Sequence, residues 1–307
     1  MYANGLYENF GTLTDQGFVP SAESETLPAR TLLTRFALLD IVGPDSHRFL
    51  QGQLTCDMGA VTTEKWLAGA CCTAKGRMVA NFILAGIDNG YRLRLPAAQA
   101  EVLVNHLKKY AVFFKATLTI REDMVVIGET GETDATSSRD VTTTEPGGIQ
   151  TLSWGNGRSE YWLATDNADD FLEGQQLYSE RRWHEQDILE GWLWVTPDST
   201  EAWVPQYCDW HIKEGISFSK GCYTGQEVVA RLQYLGKTKR HLFLVKAGED
   251  LPAVMSDVSV EGKNSGELGA VCGSLGLAVL SHEGPDLTGT INDQSVSLTR
   301  LFYTEEN

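Results

Sequence analysis

The sequence predicts an α+β fold with two ferredoxin-like halves and a small β-barrel at the C-terminus. The chain has 307 residues. A single hydrophobic core rarely supports a chain of this length, so several domains are expected. Residues 36–120 carry the order strand, helix, paired strands, helix, strand, which is typical of an antiparallel-rich α+β unit. After Arg240 the sequence is glycine-rich and strand-like, as in small barrels. We therefore expect domains at 1–122, 123–236 and 237–307.

The elements of the first half follow from apolar spacing and turn residues. Residues 36–42 form an apolar run ended by Gly-Pro, which predicts a buried strand. Residues 71–87 predict a hairpin with Lys75-Gly76 at its turn. Apolar residues at helical spacing predict a helix over 97–110, and alternation predicts a strand over 117–120.

The second half has a similar order of elements after a polar interruption. Residues 1–30 are polar and turn-rich, which indicates a loosely held arm. Residues 131–148 are rich in Thr, Ser, Asp and Glu and predict an exposed loop or hinge. A strand at 161–164 and helices at 168–179 and 183–190 are expected to follow.

Composition and charge exclude several classes of protein. No run approaches ~18 apolar residues, which argues against a membrane span, and the N-terminus lacks the pattern of a secretory signal. A net charge of -16 opposes a large sequence-independent contact with nucleic acid, and so argues against direct tRNA binding. Six cysteines without a disulfide-like spacing indicate a reducing, cytoplasmic location. The cysteines are Cys56, Cys71, Cys72, Cys208, Cys222 and Cys272.

The densest chemistry lies in the segment 215–231. The run Thr-Gly-Gln-Glu at 224–227 fits a capping box at a helix start. Cys222 would then lie near the positive end of the helix dipole, and Lys220 would add a cation, so both would favour the thiolate. A glycine-rich turn with an incidental cysteine is the alternative interpretation.

Residues 220–227 spell Lys-Gly-Cys-Tyr-Thr-Gly-Gln-Glu, which resembles the signature of the YgfZ family, folate-binding relatives of the glycine-cleavage T-protein. Further stretches at 41–55, 74–78 and 107–113 are similar to the family's first-domain motifs. The resemblance implies a T-protein-like arrangement of domains around a central cavity that binds tetrahydrofolate. It also implies a role in the synthesis or repair of iron–sulfur enzymes, including those that modify tRNA.

The resemblance also implies which residues form the site. Trp183 matches a folate-contacting tryptophan of the family, and Phe36 occupies a position where relatives can carry tryptophan. Local electrostatics, independently of the resemblance, predict that Cys222, activated by Lys220, supplies a thiol for sulfur, cluster or redox chemistry. The remaining predicted contacts orient the loop or hold an anionic group; they are Tyr223, Gln226, Glu227 and Arg231. Four further tryptophans precede the signature and could hold a flat ligand, although structural packing explains any one of them; they are Trp192, Trp194, Trp203 and Trp210.

A folate-dependent one-carbon transferase is the alternative function. T-protein relatives use an acidic residue in the hairpin after the first-domain motif, where this chain has Ala80-Asn81. Neither side chain can take up a proton as a carboxylate does, so aminomethyl transfer is disfavoured. A pure interaction scaffold is the third alternative. No metal site is predicted, because Cys208 and His211 supply only two ligands.

Overall fold

The computed structural model describes residues 6–131, 139–144, 148–236 and 238–302. The helices are α1 Ser46–Gln51, α2 Ala97–Ala111, α3 Ala168–Leu172, α4 Glu180–Leu189 and α5 Gln226–Tyr234. The strands are β1 Gly11–Thr14, β2 Gly17–Pro20, β3 Ala29–Leu32, β4 Phe36–Val42, β5 Leu67–Cys72, β6 Met78–Ile87, β7 Gly90–Pro96, β8 Thr117–Ile120, β9 Met124–Thr130, β10 Val141–Thr144, β11 Ile149–Gly155, β12 Arg158–Ala164, β13 His241–Ala247, β14 Asp257–Val260, β15 Lys263–Cys272, β16 Leu275–Leu280, β17 Asp286–Ile291 and β18 Gln294–Arg300.

These strands form two five-stranded sheets, a closed barrel and a small hairpin. One sheet has the order β5-β6-β7-β4-β8, and the other has the order β10-β11-β12-β9-β3. The barrel has the order β13-β16-β15-β14-β17-β18, and β1 and β2 form a separate two-stranded sheet. The α+β class and the C-terminal barrel are therefore confirmed.

Two compact units can be distinguished, and each is built from three stretches of chain. The first contains Met1–Leu50, Met58–Leu67 and Phe82–Trp183. The second contains Gln51–Asp57, Ala68–Asn81 and His184–Asn307 and includes the barrel. The domain boundaries expected from sequence stay a prediction.

The first unit is held by apolar strands that its helices cover. Strand β4 pairs antiparallel with β7 and β8, and α2 packs on β4. The predicted strands and helix over 36–120 are confirmed. Arg92 and Arg94, which alternate with Leu93 and Leu95 in β7, are both buried.

The N-terminal residues are not a loose arm where the structure describes them. Strands β1 and β2 pair, and the ring of Phe18 is fully buried. The carboxylate of Glu180 accepts hydrogen bonds from the Phe18 amide (3.0 Å), the Thr34 hydroxyl (2.5 Å) and the Arg35 amide (2.9 Å). This long-range anchor has no local signal in the sequence, so the prediction of a loose arm is wrong for residues 6–30; residues 1–5 lie outside the described residues.

Two further expectations in the first unit need correction. The loop predicted at 131–148 contains strand β10, which pairs with β11; residues 132–138 and 145–147 lie outside the described residues. The helix expected over 168–179 ends at Leu172, because Gly174 adopts a positive φ of 71° that an α-helix cannot contain. The strand at 161–164 is confirmed as part of β12, and the helix at 183–190 is confirmed within α4.

The barrel in the second unit closes around an aliphatic core. Strand β13 pairs with both β16 and β18, which completes the circuit of six strands. Closure leaves no free strand edge within the barrel. Its buried side chains include Phe243, Val245, Leu251, Val258, Val260, Leu268, Ala278, Leu280, Ile291, Val296 and Leu298.

Candidate functional site

The signature segment, which we define as Lys220–Glu227, crosses from a turn into helix α5. Helix α5 begins at Gln226, and its N-cap is Gly225 with a φ of 87°. A Cβ atom at Gly225 would lie 2.5 Å from the Thr73 carbonyl oxygen, so both the backbone conformation and the close contact require glycine.

The predicted capping box does not form. The N-cap has no side-chain hydrogen bond, and the Thr224 hydroxyl instead lies 3.3 Å from Oε1 of Gln53. Glu227 is exposed and makes no bond to the cap. A left-handed glycine therefore replaces the predicted Thr–Glu pair at this helix start.

Lys220 is the buried anchor of the signature segment. Its ammonium donates to the carbonyl oxygens of Leu54 (2.8 Å) and Cys56 (2.7 Å). Burial lowers its pKa to about 8, although nearby Cys56 and Asp57 favour the charged form. The ammonium is thus committed to backbone carbonyls, and activation of Cys222 by Lys220 stays a prediction.

Cys222 is the exposed cysteine of this chain, whereas the other five are buried. Burial raises the pKa of Cys56 and Cys71 to about 12, and it raises that of Cys72 and Cys208 as well. Those thiols are therefore protonated and shielded at neutral pH. Cys222 is the thiol that an external molecule can reach.

Tyr223 and Gln226 hold the loop from within. The Tyr223 ring is buried, and the Lys220 Nζ atom lies 5.2 Å from its centroid. Burial raises the pKa of the Tyr223 phenol, so the phenol stays neutral at physiological pH. The backbone N–H of Gln226 donates to the Tyr223 carbonyl oxygen (3.1 Å), which closes the turn before the helix.

Glu227 and Arg231 lie on the exposed side of α5. Both line a cleft of about 360 Å³ in the second unit. Lys75 and Arg77, from the hairpin turn between β5 and β6, line the same cleft. The predicted role of Arg231 toward an anion therefore coincides with a local excess of positive charge.

Phe36 and Trp183 belong to an arginine–aromatic row in the first unit. The Arg94 guanidinium lies 3.9 Å from the Phe36 ring centroid, and the Arg158 guanidinium lies 3.9 Å from that of Trp183. Both arginines also lie 5.1 Å from the ring of Trp154. Each predicted folate-stacking ring thus has a cation over it.

Most of the row is buried, and the charge of Arg94 is compensated. Arg94 forms a fully buried ion pair with Glu160 at 2.7 Å. Trp183 is 1% exposed, and its Nε1 has no hydrogen-bond partner among the described residues. Sequence analysis missed the two arginines of the row, Arg94 and Arg158. The sequence did offer a signal for them: strands β7 and β12 each contain an arginine among apolar residues, and β12 also contains Glu160 as a possible partner.

The cavity beside Phe36 in the first unit is small. It has a volume of about 20 Å³, enough for one or two water molecules. A pterin does not fit there, so a folate contact of Phe36 would need a different space. Its ring is half-buried, which is compatible with such a contact.

The tryptophans before the signature pack on one another in the second unit. The rings of Trp192 and Trp194 stack at 5.7 Å with an interplanar angle of 8°, and Trp210 contacts both edge-on at 5.6 Å. Trp203 donates its N–H to Glu267. All four are buried, so they are core residues and do not present open faces to a flat ligand.

Asn81 is the residue at which the family resemblance led us to look for an acid. It is fully buried; its Nδ2 donates to the Leu193 carbonyl (2.7 Å), and its Oδ1 accepts from the Val195 amide (2.8 Å). An amide satisfies both backbone groups, whereas a carboxylate could satisfy only the amide. Asn81 therefore has a structural role.

Neither a metal cluster nor a membrane span is found in the part of the chain that the structure describes. Within those ranges, no group of three or more His, Cys, Asp and Glu residues is placed to hold a metal ion. None of the described helices is long and apolar enough to cross a membrane.

The overall fold is that of the glycine-cleavage T-protein class. A crystal structure of the glycine cleavage system aminomethyltransferase T from Bartonella henselae superposes with a TM-score of 0.63, covering 89% of this chain and 84% of that one at 13% identity. Residues 239–301 match the family model of the CAF17 C-terminal beta-barrel domain.

Sequence comparison identifies the family within that class. The chain is 32% identical over 262 residues to the tRNA-modifying protein YgfZ of Colwellia psychrerythraea, covering 80% of each chain. It is 32% identical over 261 residues to the YgfZ protein of Klebsiella pneumoniae, covering 78% of this chain and 80% of that one. The chain therefore belongs to the YgfZ family, as the signature segment predicted.

Proposed function

We propose that this protein is a cytoplasmic, tetrahydrofolate-binding accessory protein that supports the synthesis or repair of iron–sulfur enzymes and thereby tRNA modification. Membership of a family whose relatives are named tRNA-modifying proteins supports the biological role. The observation that carries folate binding is the buried Trp183 N–H without an acceptor among the described residues. A donor left unpaired in the interior is costly unless a ligand completes it.

Trp183 and Phe36 are the residues that would hold the pterin. The Trp183 N–H would donate to a polar atom at the edge of the pterin, and the half-buried Phe36 ring would offer an apolar face. Arg94 covers one side of Phe36, so stacking would use the opposite side. Bound folate supplies one-carbon chemistry, while these side chains bind and orient it.

Calorimetric titration with tetrahydrofolate tests this part of the proposal. The wild-type protein is expected to bind saturably below millimolar ligand, and Trp183→Phe is expected to weaken binding about tenfold, because it removes the N–H and keeps a ring. Trp66→Phe is the matched control: Trp66 is also buried, but its N–H already donates to the Ser153 carbonyl (2.7 Å). Absence of saturable binding to the wild type would overturn the folate assignment.

Cys222 is the residue that would act on client enzymes. Its thiol is exposed, and it lies on a loop that Lys220 and Tyr223 fix from the interior. A rigid loop with an accessible thiol is suited to transient sulfur, cluster or redox exchange. In cells, Cys222→Ala is expected to reduce the activity of iron–sulfur tRNA-modifying enzymes, whereas Cys272→Ala, at a buried barrel position, leaves that activity intact if the variant folds.

The same cell assay separates the accessory role from the two alternatives. Full activity of the Cys222→Ala protein would favour an interaction scaffold, in which the surface matters and the thiol does not. A one-carbon transferase would instead release formaldehyde equivalents from an amine donor in the presence of tetrahydrofolate. The structural role of Asn81 disfavours that reaction, since its amide already bonds Leu193 and Val195.

A further inference from the structure

The cleft on the exposed side of α5 concentrates positive charge in a chain of net charge -16. Its cations are Lys75, Arg77 and Arg231, and its single carboxylate is Glu227. Glu227 and Arg231 are four residues apart on one helix, yet neither takes part in an ion pair among the described residues. The cleft therefore carries an uncompensated positive charge of about two.

The cations of the cleft have unused hydrogen-bond donors. Lys75 and Arg231 are exposed and have no partner among the described residues. Arg77 donates through Nη1 to the Ala202 carbonyl, which fixes the guanidinium and leaves its other N–H groups available. Arginine presents paired donors that match phosphate oxygens, and lysine adds a point charge.

The hairpin turn that carries Lys75 and Arg77 packs closely against helix α5, which carries Arg231. Gly76 has a φ of 71°, and a Cβ atom there would lie 2.8 Å from Cβ of Val228 on α5. The turn is closed by bonds from the Thr73 amide to the Arg77 carbonyl (2.8 Å) and from the Gly76 amide to the Thr73 carbonyl (2.9 Å). The charges are thus preorganised, which reduces the entropy lost on binding.

The rest of the cleft is aromatic and aliphatic. Tyr207 is half-buried, and Val204, Val228 and Leu232 supply apolar surface. A volume of about 360 Å³ lies in the range of small-molecule sites and suits one nucleotide. A phosphate monoester carries a charge of about -1.5 to -2 at neutral pH, which matches the excess in the cleft.

We propose that this cleft binds the phosphate of a nucleoside monophosphate unit, with its base against Tyr207 and the apolar wall. The unit can be a free nucleotide or the 5′-phosphorylated end of an RNA; both present the same chemistry. An oligoglutamate chain is less well matched, because it offers singly charged carboxylates and no ring for Tyr207. The proposal does not depend on folate binding.

Calorimetry with AMP and with a 5′-phosphorylated RNA tetranucleotide tests the proposal. The wild-type protein is expected to bind AMP saturably below millimolar concentration, and the variant Lys75→Gln with Arg231→Gln is expected to bind at least tenfold more weakly, because it loses two charge-assisted contacts. Lys239→Gln, an exposed lysine that does not line the cleft, is the control and should bind as the wild type does. Tighter binding of the tetranucleotide than of AMP identifies RNA as the source of the phosphate, and equal binding identifies a free nucleotide.

Three outcomes would overturn the proposal: no saturable binding of either probe, binding that the double variant leaves unchanged, or displacement of AMP by penta-glutamate at equal concentration. Tetrahydrofolate affinity is measured on Lys75→Gln alone and should not change, because Lys75 lines the cleft but is not among the predicted folate contacts. Failure of AMP binding with intact folate binding refutes the cleft alone, and the converse refutes the folate proposal alone.

Discussion

Lys220 and Cys222 are two residues apart but have opposite surroundings. The thiol of Cys222 faces solvent, while the ammonium of Lys220 is buried between two backbone carbonyls. The sequence predicts the importance of both residues, because a thiol and a lysine between glycines are unusual. It does not predict the direction of the lysine side chain, which depends on the distant carbonyls of Leu54 and Cys56.

Replacement of Lys220 by methionine should destabilise the protein. The variant keeps the apolar stem but removes the donor to the Leu54 and Cys56 carbonyls, so we expect a loss of about 2–4 kcal/mol in the free energy of unfolding. Urea denaturation measures it. Lys239→Met, at an exposed site, should stay within about 0.5 kcal/mol of the wild type. Equal stability of Lys220→Met and wild type would contradict the anchoring role.

Asp209 should give the stability of the protein a defined pH dependence. Burial raises its pKa to about 7, although the Leu242 amide and the cations of Arg300 and Lys213 act in the opposite direction. The native state therefore retains a proton that the unfolded chain releases near pH 4, and this stabilisation is lost as pH rises from about 4 to about 7. Asp209→Asn has no such proton to lose.

Urea denaturation at pH 5 and pH 8 checks this expectation. Between these two values the wild type should lose more than about 1 kcal/mol relative to Asp209→Asn. Asparagine tolerates the left-handed backbone of residue 209, whose φ is 50°, so the substitution introduces no strain. Asp257→Asn, at an exposed strand position, should follow the wild-type curve. Parallel curves for Asp209→Asn and wild type would rule out the buried proton.

At the scale of elements, local patterns predicted the strands and helices that depend on neighbouring residues. Strand β4 and strand β8 were expected at their observed bounds, because an apolar run and a clean alternation determine them. The start of α5 was not predicted correctly. A glycine in the left-handed conformation, in close contact with Thr73, takes the place of the expected capping box. The contact between Gly225 and Thr73 joins residues about 150 positions apart, and such contacts produce no periodic pattern in the sequence.

The buried side-chain amide of Asn81 joins strand β6 to the segment around Leu193. Asn81→Asp keeps the shape of this side chain but replaces the donor to the Leu193 carbonyl by a carboxylate oxygen. We expect a loss of about 2–4 kcal/mol at pH 7, because a charge and an unpaired carbonyl are both buried.

A pH series distinguishes this mechanism from a general packing defect. The protonated aspartic acid can donate to the Leu193 carbonyl again, so the stability difference between Asn81→Asp and wild type should narrow as pH falls. Thermal denaturation at pH 5 and pH 8 measures it. A difference that does not vary with pH would show that the donor is not the cause.

The site as a whole was only partly predictable. The signature segment identified the family and Cys222, since such a motif is carried by consecutive residues. The arginine–aromatic row was not expected, because Arg94 and Arg158 come from separate strands. Arg94 is buried with its ion-pair partner Glu160, and both guanidinium groups lie against aromatic rings. Which buried charges are paired depends on the tertiary fold, and the amino-acid composition does not indicate these pairs.

At the scale of the whole molecule, net charge should confine any contact with RNA to a small area. The three cations of the cleft would release about two counterions, so the affinity for a 5′-phosphorylated tetranucleotide should fall with a log–log salt slope of about -2. Titrations between 50 and 300 mM KCl measure the slope. A slope of about -5 or steeper would indicate a far larger basic surface than the cleft.

The division of the second unit among three stretches of chain has a consequence for biosynthesis. Its segments Gln51–Asp57 and Ala68–Asn81 leave the ribosome well before His184, where the third stretch begins. At ordinary elongation rates the intervening stretch of about 100 residues takes roughly 5–20 s to synthesise. During that interval the hairpin that carries Lys75 and Arg77 has none of its final neighbours from helix α5, and a nascent chain arrested before residue 184 would expose it to chaperones and proteases.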